Sequence, residues 1–317
     1  MPTENANLRP VYVAKADMAL SQLTSGGVLV REQLKKFLLV KIKASKVLKR
    51  VRVTTMQREQ QEIPKMTTFG SRVWYPGVEM EELPIARRSR PGFDKVTLTS
   101  YEIMAQVNFP RYFLKAQVEM EGFRNTLLSY LALHGDRDFD DFIINGDTTN
   151  TTDDSLALHD GLIAGTTSNT YAAGTSALSS DILDRSQRTM PDEYAAQEGL
   201  VFWTSRNAQA AYRRELKDRG TGLGDSTIAQ GNQNPPYGGI PVEWIPMFPT
   251  TLGIGGNETD LWHGDPKQFI FALHEQMEME TEYNIKSRSW TVVMTARKAQ
   301  GFEHEPAGVL TTGLLST

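Results

Sequence analysis

The chain has 317 residues, 39% of them hydrophobic and 23% charged, enough for one large or two modest domains with a real core. A formal net charge of −4 argues against a protein that grips nucleic acid over its whole surface. The absence of cysteine removes disulfides, cysteine-zinc sites and thiol nucleophiles, and suits a reducing cytoplasm. The N-terminal stretch has no apolar core of a signal peptide, and no apolar run approaches the roughly 18 residues of a membrane span, so a soluble product made inside a cell is expected.

The first feature in chain order is a basic run: Arg31, Lys35, Lys36, Lys41, Lys43, Lys46, Lys49, Arg50, Arg52 and Arg58, with Glu32 the one acid before Glu59. Apolar Phe37, Leu38, Leu39, Val40, Ile42, Val47 and Leu48 are threaded through it. A solvated helix plus strand explains the pattern, as does an arm lying on an acidic partner; a basic membrane helix is a third reading. Residues 76–94 then hold Pro76, Pro84 and Pro91, with Glu79, Glu81 and Glu82 ahead of Arg87, Arg88 and Arg90. Such an insert cannot bury itself. Either it is disordered or it is an extended arm that docks on a neighbouring subunit, with Trp74 and Tyr75 as apolar anchors. On its far side Val96 and Leu98 alternate, and so do Tyr101, Ile103, Ala105, Val107 and Phe109. The phase change between the two sets predicts a bulge.

Met120, Phe123, Leu127 and Leu131 form one stripe of a helix over about 115–144, with Phe139, Phe142 and Ile143 resuming it. Thirty residues would span roughly 45 Å, the length of a strut. "FIINGDTTNTTDD" follows, at 142–154. From Ser180 the pattern is mixed: a helix capped by Ser180 and running from Asp181 to before Pro191, a buried strand "LVFW", and a helix capped by Thr204 or Ser205 and ended near Gly220. A Gly-rich loop and the strand "IPVEWIPMFP" come next, then two long strands with a turn near Asn284 to Ser287. The order predicts an α+β or mixed architecture.

No catalytic constellation stands out. His134 and His263 lie in His-Gly-Asp, and His159 in His-Asp-Gly, which are turn signatures more often than metal or acid/base sites. "DRGTGLGDS" follows a helix and lacks the Gly-Lys-Ser/Thr of a phosphate loop, and Asp147, Asn150 and Asp153 miss the calcium-loop spacing. No cofactor or metal is expected.

In order and spacing, "VTLTSYEIMAQVNFPRYFLKAQ", "FDDFIINGDTTN" with "HDGLI", "LVFWTSRNAQAAYRRELKDRGTG", "YGGIPVEWIPMFP" and "LWHGDPKQFIFAL" resemble the major capsid proteins of tailed bacteriophages. The likeness runs from about residue 50 to near the end. It implies an α+β fold of the Hong Kong 97 type. The parts would be an N-terminal arm at 1–50, a strand and extended hairpin at 51–100 (the E-loop at about 66–100), a peripheral domain with a spine helix at 101–150, an axial domain at 151–266, and returning strands with an axial tail at 267–317. The opening of the Thr-rich stretch would then be the exit of the spine helix.

The implied function is a shell protein of the virion, assembled in the bacterial host cytoplasm as hexamers and pentamers around double-stranded DNA that it touches weakly. An encapsulin-like nanocompartment shell is the alternative, and a metal-dependent hydrolase using the His-Asp pairs is a third. Partners implied are further copies of the chain and separate scaffolding, portal and cement proteins. Candidate contact residues between subunits are Trp74, Tyr75, Glu79, Glu81, Glu82, Arg87, Arg88 and Arg90 of the hairpin, and Lys35, Lys36, Lys41 and Lys43 of the arm. Some family members begin with a scaffolding domain of about a hundred residues that is later cleaved; with some fifty residues ahead of the hairpin here, the resemblance implies either a separate scaffolding protein, if one is needed, or a chain already matured. Others link subunits through a Lys–Asn bond; Lys95 lies near the hairpin, and no such link is assigned to it.

Overall fold

The structure, a computed structural model, describes residues 46–67, 73–77, 79, 81–88, 92–111, 130, 134–135, 137–218 and 234–316. Lys35, Lys36, Lys41, Lys43 and Arg90 lie outside the described residues, as do most of the expected spine helix and the Gly-rich loop after Asp218. The chain divides into two units, 1–44 with 102–138 and 275–297, and 45–101 with 139–274 and 298–317.

In chain order the elements begin with β1 (Arg52–Thr55) and the hairpin β2 (Gln60–Thr67) and β3 (Gly92–Thr99). After β4 (Tyr101–Pro110) come the helical residues 137–145 (α1), α2 (Leu162–Gly165), β5 (Thr170–Ser176), α3 (Ser180–Thr189), α4 (Asp192–Ala195) and β6 (Val201–Thr204). The rest is α5 (Arg206–Asp218), β7 (Pro236–Tyr237), β8 (Ile240–Trp244), β9 (Glu258–Gly264), β10 (Phe269–Asn284), β11 (Ser289–Phe302) and β12 (Gly308–Leu315). Helix and sheet are mixed, as expected from the sequence.

Six strands make the main sheet of the larger unit, in the order β5-β12-β9-β6-β8-β7. Its directions are mixed: β12 runs parallel to β5 and antiparallel to β9, and β6 runs antiparallel to β9 and parallel to β8. All four residues of β6 are buried, which is why "VFWT" reads as a continuous apolar run rather than an alternating one. Phe202 joins Leu183, Tyr212, Val242, Leu261 and Leu314 in the core beneath α3 and α5. On the other face Trp203 and Trp262, cross-strand partners, bring their rings to 5.4 Å. Burying side chains of this size contributes about 1.5–3 kcal/mol each relative to exposure.

The helix caps differ in part from expectation. Ser205 Oγ accepts a hydrogen bond from Ala208 N at 3.4 Å, the N-cap arrangement the sequence suggests for α5. At α3 the N-cap position falls to Ser179, whose side chain makes no cap hydrogen bond, and Ser180 is the first helical residue. Instead Glu215 of α5 accepts hydrogen bonds from Ser180 N and Oγ, both at 2.8 Å, a carboxylate from a neighbouring helix doing the cap's work.

Near the chain start, Val47 is fully buried and Leu48 N donates to Asp140 Oδ1. Lys46 Nζ sits 3.8 Å from the Trp244 ring centroid, and Arg50 and Arg52 pair with Glu243 and Glu303 at 2.7 and 2.5 Å. Arg50 and Arg52 of the basic run are therefore paired with carboxylates of their own chain.

The expected bulge between Leu98 and Tyr101 is something else. Buried Ser100 separates two strands that belong to different sheets: β3 pairs with β2, while β4 stands at one end of the order β1-β10-β11-β4. A change of sheet flips the phase just as a bulge does. In the smaller unit, Arg297 pairs with Glu102 at 3.2 Å, and the rings of Tyr283 and Trp290 lie 5.2 Å apart. The β10–β11 turn is closed by Asn284 Oδ1, which accepts from Lys286 N and Ser287 N.

Candidate assembly surfaces

The hairpin is in register over its whole length, from Gln60 opposite Thr99 to Thr67 opposite Gly92. Its base has a small core of Met56, Leu98, Ile270, Ala272 and Ala299, against which Ile63 and Val96 pack. Beside and beyond that support, cross-strand ion pairs link the two strands. Lys65 meets Asp94 at 3.2 Å, and Lys95 meets Glu62 at 2.6 Å. The Asp94 carboxyl is held below the usual carboxylate range, chiefly by the Lys95 backbone N–H and then by Lys65.

The outer hairpin exposes apolar surface. Trp74 is 91% exposed, Phe93 73% and Ile85 72%. A tryptophan open to water is the informative kind of exception to burial. Phe93, Ile85 and Val73 are additions to the sequence-based candidates. Phe93 was legible, because it is out of phase with Val96 and Leu98 and so faces the other side of β3.

Tyr75 is half-buried, and Glu79, Glu81, Glu82, Arg87 and Arg88 are exposed. Glu82 and Arg88 meet each other at 2.8 Å within the loop, and Arg88 Nε also donates to Leu83 O. At 46% and 90% exposure this pair is worth about 0–1 kcal/mol. The structure brings no other two of these candidates together among the described residues.

The Thr-rich stretch turns the chain. Asp147, Asn150 and Asp153 each accept from backbone N–H groups two or three residues on, a chain of Asx turns. Ahead of it, Gly146 and Gly161 let two backbones touch. Gly161 N donates to Gly146 O at 2.8 Å. A Cβ on Gly146 would meet His159 O at 2.4 Å, and one on Gly161 would meet Ile143 O at 2.6 Å. The Asn-Gly-Asp and His-Asp-Gly motifs are thus the two halves of one close approach.

Three histidines of the turn-like motifs pack against aromatic rings. His263 is buried and stacked on Phe202, its cross-strand partner, at 4.2 Å; burial pushes its pKa down to about 4. His159 Nε2 lies 2.7 Å from Thr99 O, its ring edge-on to Tyr101, and burial lowers its pKa too. His134 is half-buried, with its ring 4.4 Å from that of Tyr130. Among the described residues no group of three or more His, Asp or Glu could hold a metal, and no helix is long and apolar enough to cross a membrane. Lys298 went unnoticed in the sequence. It is 1% exposed, with Nζ 3.9 Å from the Phe142 ring centroid, and burial lowers its pKa to about 7.

The surroundings of these surfaces match known shell proteins. A family model described as the phage capsid family matches residues 26–303. A Bacillus subtilis (strain 168) chain named as a prophage capsid protein, YqbE, is 29% identical over 302 residues, covering 93% of this chain and 95% of the relative. Among solved structures, a chain of the satellite phage P4 procapsid with its size determination protein superposes with a TM-score of 0.64 at 13% identity, over 85% of this chain and 87% of that one. A chain of Gordonia phage Cozz gives 0.63 at 12% identity, over 95% and 96%. The capsid of a native GTA particle gives 0.62 at 15% identity, over 86% and 95%. These neighbours share the Hong Kong 97-type fold. With a model match over residues 26–303, most of its length, the chain belongs to the phage capsid family.

Proposed function

We propose that this major capsid protein builds its icosahedral shell from hexamers and pentamers and encloses double-stranded phage DNA, without enzymatic activity. One observation carries the assembly mode: a paired hairpin whose outer part exposes Trp74, Ile85 and Phe93. An isolated subunit gains nothing from such surface, whereas a lattice buries it once per copy.

In this reading the parts keep the bounds 1–50 for the arm, 51–100 for the hairpin region, 101–150 for the peripheral domain with its spine helix, 151–266 for the axial domain and 267–317 for the returning strands and tail. The hairpin candidates and the arm lysines Lys35, Lys36, Lys41 and Lys43 make contacts between copies. Each exposed ion pair is weak, so specificity comes from many contacts repeated over the lattice. Weak single contacts also let misplaced subunits leave during growth. Assembly takes place in the host cytoplasm, with scaffolding, portal and cement proteins as separate chains.

The mildly negative chain touches DNA through scattered basic residues, and that contact weakens with salt. Purified particles treated with nuclease and then opened test the cargo. Protected double-stranded DNA is expected; particles filled with an enzyme and free of DNA would assign the chain to nanocompartment shells instead.

A further inference from the structure

Beside the base of the hairpin, within the larger unit, lies a cavity of about 420 Å³. Tyr101, His159, Asp160, Gln300, Phe302 and Glu305 line it together with Thr97 and Thr99 of β3, and among the described residues no lysine or arginine does. Its chemistry is lopsided toward acceptors. His159 Nε2 faces Thr99 O and must carry the proton, which leaves Nδ1 a bare acceptor; among the described residues no donor reaches it. Gln300, 5% exposed, donates Nε2 to Phe142 O at 2.6 Å and to Asp160 O at 3.2 Å, and its Oε1 is likewise left without a donor. Buried acceptors in this condition are costly.

Both carboxylates are held in place by neutral groups. Asp160 Oδ1 accepts from Thr148 N and Oγ1 at 2.8 Å, and Glu305 Oε1 accepts from Thr167 N and Ser168 N at 2.7 Å. Lys298 is near enough to His159 to disfavour its protonation, but does not line the cavity. Two fixed carboxylates beside the rings of Tyr101 and Phe302 suit a planar cation with several donors. A guanidinium fits this set better than a bare metal ion, which would want a tighter cage.

The candidate cation is on the same hairpin. Arg87 ends the short 3-10 turn Ile85–Arg87, is exposed, and has no side-chain partner among the described residues, whereas Arg88 beside it is engaged by Glu82 and Leu83. The cavity lies at the Thr99 end of the strand pair, while Arg87 belongs to the connection beyond its other end. The eight-residue strands put those ends about 25 Å apart. We propose that Arg87 of one copy enters this cavity on a neighbouring copy, pairing with Asp160 and stacking on Tyr101. Such a contact is head-to-tail, the type that closes into rings. The inference rests on the assembly reading above and names the partner of the hairpin tip.

The test compares closed-particle yield, by sedimentation and electron microscopy, for the wild type, Arg87→Ala, Asp160→Asn and the double variant. Asp160→Asn keeps the oxygen that Thr148 needs, and Arg87 is exposed, so neither change removes a folding contact. Each single change is expected to cut the yield several-fold, and the double variant to be no worse than either, because the two groups act as one pair. The exchange Arg87→Asp with Asp160→Arg is expected to recover part of the yield. Wild-type particles alongside unaffected single variants, or losses that add up in the double variant, would overturn the pocket contact while leaving the assembly reading intact. Wild-type protein that forms no particles would overturn the assembly reading and this inference with it.

Discussion

Lys298 shows what a single residue can hide. In β11, Val292, Met294 and Ala296 are buried on every second position, and Lys298 and Gln300 continue the same phase. The period-two pattern therefore pointed at a buried lysine, but a charged residue near a strand end reads by default as solvated. Attraction to the Phe142 ring favours the ammonium by up to about 2 kcal/mol; burial outweighs it. With the folded pKa near 7 and the ordinary value at 10.5, the unfolded chain binds more protons between these limits. Stability should therefore rise with pH across that window, the penalty being fully present below about pH 7. Asp260, raised to about 6, and His263, lowered to about 4, titrate outside it. Urea unfolding of the soluble subunit should show Lys298→Met more stable than the wild type at pH 7, by order of a few kcal/mol, with the gain shrinking toward pH 10. A gain independent of pH would mean that packing, not charge, is responsible. Gly146 and Gly161 were legible only as turn residues. What they do, admitting one backbone against another, depends on a meeting of segments fifteen residues apart that no local pattern encodes.

At the scale of elements, strong periodicity was the reliable guide. The buried "VFWT" strand, the helix stopping before Pro191 and the long β10–β11 pair all lie where their patterns place them. Phase was read correctly and its cause wrongly at Ser100, where the chain changes sheets. The hairpin strands extend back to Gln60, because β2 pairs along its full length with β3 although "QQEIPKMT" carries a proline and little alternation. Pairing partners override propensity there. Beyond the strands, aromatic and charged residues stay exposed on the single chain, and the proposed assembly would cover them. Replacing Arg87, Arg88 and Arg90 together by alanine is expected to lower particle yield and the salt concentration that particles tolerate, while the melting temperature of the unassembled subunit stays within a degree or two. The Glu82–Arg88 pair is too exposed to matter more than that to the subunit itself. Unchanged yield and salt tolerance would remove these residues from the interface.

At the scale of the whole molecule, composition excluded more than it identified. No cysteine, a small negative charge and no site chemistry left a protein whose residues make sense only in repetition. The order of weak motifs carried the identity, since each is a structural necessity of one fold: a sheet change, a glycine approach, a central buried strand. Contacts between copies stayed hidden because their partners lie on another chain, and the acceptor-rich cavity is assembled from four separate segments. The central claim is that this chain closes into shells by itself or with the proteins encoded beside it. Negative-stain electron microscopy of the expressed protein, alone and with those neighbours, tests that most directly. Closed icosahedral particles or capsomer rings are the predicted result. A uniform population of monomers or dimers of the 35.5 kDa chain under every condition would contradict it.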